Sequence, residues 1–75
     1  MYYLVTYNYN GEMKDVAISC IYEDLAECVI KQAKFFFPSF SAYGLIMREG
    51  ILRGKEGEIL FNIRKIDNIY IKENK

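Results

Sequence analysis

Cys20 and Cys28, the acids Glu23, Asp24 and Glu27, the glycines Gly50, Gly54 and Gly57, and the bases Arg48, Arg53, Lys55 and Arg64 are the residues of this chain with chemistry to offer. Each set can be weighed against what its chemistry requires. The two thiols stand eight positions apart with no second thiol pair and no histidine to complete a zinc site, so they read as small apolar core residues. Glu23, Asp24 and Glu27 could hold a metal or act as an acid–base pair, but Asp24 and Glu27 also have the spacing of a helix N-cap and its third-position acid, which accounts for them without catalysis. The three glycines lie between strand-like segments rather than ahead of a helix, which is the wrong setting for a phosphate loop. With no histidine anywhere, the commonest general base and the usual protease pairings are missing as well. The expectation is a protein that is not an enzyme and carries no cofactor or metal.

Binding chemistry is better represented. Arg48, Arg53, Lys55, Arg64 and Lys65 fall in the C-terminal half near Tyr43 and Tyr70, and bases with aromatic neighbours can follow a phosphate backbone while stacking on nucleobases. Glu49, Glu56, Glu58 and Asp67 are interleaved among them and lower that potential. Tyrosine and arginine are also the side chains most enriched at protein-binding hot spots. The opening MYYLVTYNYNG supplies four tyrosines: alternation places Tyr3, Val5, Tyr7 and Tyr9 on one face, and Tyr2, Leu4, Thr6 and Asn8 on the other. If Leu4 points inward, Tyr3, Tyr7 and Tyr9 form an open aromatic row; if Val5 does, Tyr3 and Tyr7 are core and only Tyr9 stays accessible. Phe35, Phe36 and Phe37 cannot all face inward on one helix, since successive side chains step about 100° around the axis. Phe36 and Phe37 are expected in the core, with Phe35 at its margin under the loop carrying Phe40 or Tyr43.

These residues must be positioned by a small number of elements. A chain of 75 residues is one domain, 1–75, and one of this size buries only about 60% of its unfolded surface. An apolar fraction of 52% is that of a folded unit. Ten bases and ten acids cancel, although residues 1–30 hold five acids against Lys14 and residues 31–75 hold nine bases against five acids. No apolar leader or membrane-length run is present, so a cytoplasmic protein with no membrane partner is expected.

Tyr2 to Asn8 reads as a strand, Asn8-Tyr9-Asn10-Gly11 as a hairpin turn, and Met13 to Ile21 as a second strand with Val16, Ile18 and Cys20 on one face. A helix should follow from Asp24, with Ala26, Val29, Ile30, Ala33, Phe36 and Phe37 as its apolar stripe and Pro38 as its stop. After the loop SFSAYG, Leu45 to Leu52 reads as one strand with an irregularity at Gly50, and Arg53 to Gly57 as a turn. Glu58 to Arg64 alternates Ile59, Phe61 and Ile63 against Leu60, Asn62 and Arg64, and is the clearest strand of all. Asp67-Asn68 would turn it into a last strand, Ile69 to Lys72. The fold class is therefore α+β, in the order ββαβββ, with an antiparallel sheet of four to five strands and one helix packed on one face. The uncovered face is where a functional surface belongs.

This architecture, a lone helix between a hairpin and an antiparallel meander in a chain of this length, resembles that of small phage-encoded anti-CRISPR proteins. The resemblance is one of architecture and carries over no functional residues. It implies a non-enzymatic inhibitor that binds a host protein or ribonucleoprotein complex of bacterial defence and blocks its access to DNA or its nuclease step. Tyr7, Tyr9, Arg48, Arg53, Lys55 and Arg64 are the candidate partner-binding residues. Two alternatives stand beside this one: a small DNA- or RNA-binding regulator using the basic C-terminal meander, and a structural module that homodimerises through an exposed edge strand.

Overall fold

The computed structural model describes residues 1–66. Strand β1 (Tyr2–Tyr9) and strand β2 (Glu12–Ser19) form a hairpin, a 3₁₀ turn (Tyr22–Asp24) leads into helix α1 (Leu25–Phe36), and strands β3 (Ala42–Ile46), β4 (Ile51–Gly54) and β5 (Gly57–Ile66) follow. All five strands join one antiparallel sheet in the order β2-β1-β5-β4-β3. The order ββαβββ and the single helix on one face are as the sequence implies. No helix among the described residues is long and apolar enough to cross a membrane.

The first hairpin follows from its turn chemistry. Asn10 and Gly11 take φ of +53° and +84°, the two positive values that a two-residue turn matching strand twist demands, and Tyr9 pairs with Glu12 across it. That register fixes the faces. Val5 is fully buried and Leu4 is only half-buried, so Tyr3, Val5 and Tyr7 point under the helix. The core gathers them with Ile18 of β2, Leu52 of β4, Ile59 and Phe61 of β5, and Leu25, Val29 and Ala33 of α1.

Helix α1 differs in two respects from what its sequence suggests. Asp24 does not cap it: its backbone is already near helical (φ −97°, ψ 0°) rather than extended, so its carboxylate makes no bond to the first turn. The preceding 3₁₀ turn begins the helix instead, with the Asp24 N–H donating to the Ile21 carbonyl at 3.0 Å. The buried stripe is also rotated, running through Leu25, Val29 and Ala33 and leaving Ile30 38% exposed. Phe37, before Pro38, has left the helical conformation (φ −129°, ψ 72°) and is buried, and the helix ends there as expected. Phe35 is 75% exposed and no loop covers it; Phe40 is in the core and Tyr43 is at the surface.

The expected third strand, Leu45 to Leu52, is in fact two strands and the turn between them. The chain reverses at Met47–Gly50, where the Gly50 N–H donates to the carbonyls of Ile46 (2.9 Å) and Met47 (3.2 Å). Apart from Gly50, this turn is made of Met, Arg and Glu, residues without turn signatures, which hid it inside an apolar run. The strand expected at Ile69 to Lys72, with its turn at Asp67-Asn68, lies outside the described residues.

Gly50 has φ +70°, and a methyl there would overlap the Phe61 carbonyl, whereas Gly11 has no atom near enough to obstruct one. Gly50→Ala is therefore expected to cost roughly 2–4 kcal/mol and Gly11→Ala about 1 kcal/mol; urea unfolding of the two variants beside the wild type measures the difference. Tyr7 gives a second test. Its hydroxyl donates to the Val29 carbonyl at 2.6 Å inside the core, and burial, with a smaller contribution from Cys28, pushes the phenol well above its ordinary value of 10.0. The folded phenol stays protonated where an unfolded one ionises, so this contribution is complete below pH ~10 and is lost as pH rises beyond it. Tyr7→Phe should lower stability by about 1 kcal/mol at pH 7, and the gap to the wild type should narrow between pH 10 and 11.5 in the same unfolding assay.

Candidate functional site

Because α1 covers one face, the sheet's other face is open, and the register shows what lies on it. Met13 is opposite Asn8, Asn8 opposite Leu60, Leu60 opposite Ile51, and Ile51 opposite Ile46. Paired residues share a face, so these five form a row across all five strands, about 19 Å long at ~4.8 Å per strand step. Four of the five are large and apolar, and Met13 and Leu60 are 61% and 51% exposed. Asn8, Thr6 and Asn62 border a shallow depression of about 270 Å³ between Met13 and Leu60.

The expected site residues divide around this row. Arg53 follows Ile51 by two positions on β4, on the open face, and its Nε lies 3.3 Å from the Glu58 carboxylate. Arg64, opposite Leu4, is on the same face four positions beyond Leu60, about 13 Å along β5. Arg48 is exposed in the β3–β4 turn, beside a polar depression of about 230 Å³ that reaches Asn62. Three arginines therefore surround the apolar row. Lys55 is at the opposite end of β4, in the β4–β5 turn, where its backbone N–H donates to the Ser41 carbonyl at 3.2 Å. Among the described residues, Arg48 and Lys55 are thus separated by the length of β4.

Neither tyrosine belongs to this surface. Tyr7 is fully buried between sheet and helix, where no partner can reach it, and its ring lies at centroid distances of 6.1 and 6.4 Å from Phe36 and Phe61. This corrects its assignment as a partner-binding residue: Val5 is the inward residue of β1, and Tyr7 shares its face. Tyr9 is half-buried on that same helix side, with the rings of Phe37 and Phe40 edge-on at 5.4 and 5.3 Å. Its hydroxyl reaches the Glu56 carbonyl at 3.5 Å, so most of the ring is committed to packing. The residues that sequence reasoning passed over are Met13, Ile46, Ile51 and Leu60. Leu60 carried the available signal, a large aliphatic side chain on the strand face otherwise made of Asn62 and Arg64.

Cys20 and Cys28 are free and half-buried at the edge of the core. Burial first, and the neighbouring Cys28 next, push the Cys20 thiol above its ordinary value, which keeps it protonated and a poor nucleophile.

Glu56 ties the loop after α1 to the β4–β5 turn. The Ser41 N–H donates to its Oε1 at 2.8 Å, and that bond holds the carboxyl below its ordinary value of 4.5. A lowered folded value means that the contact is intact above the ordinary value and is lost as pH falls through the folded one. The Ser41 amide resonance should therefore titrate with a midpoint below 4.5, and in Glu56→Gln this titration should disappear, as ¹⁵N–¹H spectra between pH 7 and 2.5 would record.

No family model matches the chain, and no match was found among curated proteins or solved structures, so the site stands on its own geometry.

Proposed function

We propose that this protein is a non-enzymatic inhibitor that works by contact, seating the open face of its sheet on a protein component of a bacterial nucleic-acid-targeting complex, in the manner of the anti-CRISPR proteins its architecture resembles. The observation that carries the proposal is the open-face row of exposed Met13 and Leu60 with half-buried Ile51 and Ile46, surrounded by Arg48, Arg53 and Arg64. An apolar centre with arginines at its rim is the composition of a protein-binding surface, where large side chains excluded from water supply the energy and the rim supplies orientation. Nucleic acid is the weaker fit. Its binders present continuous positive charge, whereas here Arg53 is paired with Glu58 and Arg48 and Lys55 stand at opposite ends of β4. The host cytoplasm is where such a target would be met.

The test is protection of phage from interference in a bacterium carrying an active CRISPR system, with the protein expressed in the same cell. The wild type should restore plaque formation and co-purify with the effector complex. Leu60→Glu, which changes an exposed side chain, should leave the urea midpoint nearly unchanged and weaken capture by about 30-fold, the loss of one 2 kcal/mol hot spot. Absence of protection across the common system types, together with a DNA gel shift that vanishes as salt rises, would overturn the proposal in favour of a nucleic-acid-binding regulator.

A further inference from the structure

The sheet has two edges, and they are built differently. The β2 edge carries Glu12, Lys14 and Asp15, with Lys14 and Glu12 in an ion pair at 3.4 Å, the usual protection of an edge against pairing with another chain. The β3 edge reads Ala-Tyr-Gly-Leu-Ile and has no charge at all. Among the described residues β3 pairs only with β4, so the backbone groups along its other side have no strand partner. Its irregularity lies between Ala42 and Gly44, and Gly44 to Ile46 keep regular register.

Beside this edge runs an apolar groove between β3 and α1. One end, of about 110 Å³, is lined by Ile30, Ala33, Phe40 and Leu52, with Lys34 at its rim. The other, of about 250 Å³, shares Ile30 and Leu52 and adds Tyr43 and Leu45. The rotation of the helix stripe noted above is what leaves Ile30 here, 38% exposed, facing a Tyr43 that is 73% exposed. Lys34 is the charged residue of the lining, no acid accompanies it, and the ion pairs among the described residues do not involve it.

We infer that the β3 edge and this groove form a strand-addition site for an extended peptide segment that bears an acidic residue. Backbone pairing along Gly44–Ile46 would hold the segment, alternate side chains would enter the groove over Ile30 and Leu45, and a carboxylate would meet Lys34. The charge selects the occupant. A second copy pairing β3 to β3 would add another Lys34 and no acid, since its own edge has none, whereas an acidic peptide supplies the missing sign. This surface is on the helix side of the sheet and is separate from the open face proposed to bind the target complex.

The probe is a fluorescein-labelled hexapeptide, Glu-Val-Thr-Val-Thr-Glu, compared with a version carrying Lys in place of Glu and with one N-methylated at alternate amides. Addition of the acidic peptide to ¹⁵N- and methyl-labelled full-length protein should shift the amides of Tyr43 to Ile46 and the methyls of Ile30. Anisotropy should show it binding at least about fivefold tighter than the Lys version, and N-methylation should abolish binding. Lys34→Glu, with its thermal melt checked, should reverse the preference between the two peptides. The inference is overturned if no peptide shifts β3 at millimolar concentration, if the shifts fall on Met13 and Leu60 instead, or if light scattering shows the protein already dimeric with the β3 amides protected.

Discussion

Tyr7 determines how the helix lies on the sheet. It comes from β1, which has β2 on one side and β5 on the other, and its hydroxyl donates to the carbonyl of Val29 in the middle of α1. A buried phenol needs such a partner, because leaving it unpaired away from water costs about 1–3 kcal/mol. That requirement anchors the helix over β1 and β5. Once it is met, Tyr3 and Val5 must share the covered face, and every residue paired with their neighbours is assigned to the other. The open face follows from the covered one.

The consequence is a separation of roles by layer. Tyrosines and phenylalanines, the side chains that from composition alone look most suited to recognition, are largely used to build the core: Tyr7 under the helix, and Tyr9 edge-on against Phe37 and Phe40. A domain of this size has little aliphatic volume to spare, and aromatic rings fill a thin core efficiently. The surface left for partners is made instead of Met13, Leu60, Ile51 and Ile46 with arginines around them. The second surface, at β3, exists because one helix of twelve residues cannot cover five strands to both edges.

Much of this architecture was legible in the chain. Alternation identified β1, β2 and β5, since a half-buried strand must present every second residue to the core; Asn10-Gly11 identified the hairpin, because it suits the positive φ of that turn; and Pro38 marked the end of α1. What was missed has local causes. The Met47–Gly50 turn lies within an apolar run and is set by one glycine packed against the Phe61 carbonyl, a contact with a strand that comes later in the chain. Asp24 had the right spacing for a cap, but it is the last residue of the 3₁₀ turn, whose bent backbone lacks the extended conformation a cap requires.

Strand alternation, helix periodicity and turn chemistry are properties of neighbours along the chain, and they were enough to set β1, β2, α1 and β5 and their order. The sequence by itself also set the composition of each strand face, Leu60 with Asn62 and Arg64 on one side of β5, and Ile59 with Phe61 on the other. Which face was covered depended on contacts between elements distant in the chain. Leu4 and Val5 are equally suited to a core, and the choice between them was made by the Tyr7 bond to the helix and by the pairing of β1 with β5 across 50 or more residues of chain. The same long-range pairing put Met13, Leu60, Ile51 and Ile46 in one row, since residues that far apart become neighbours only when the sheet closes its register.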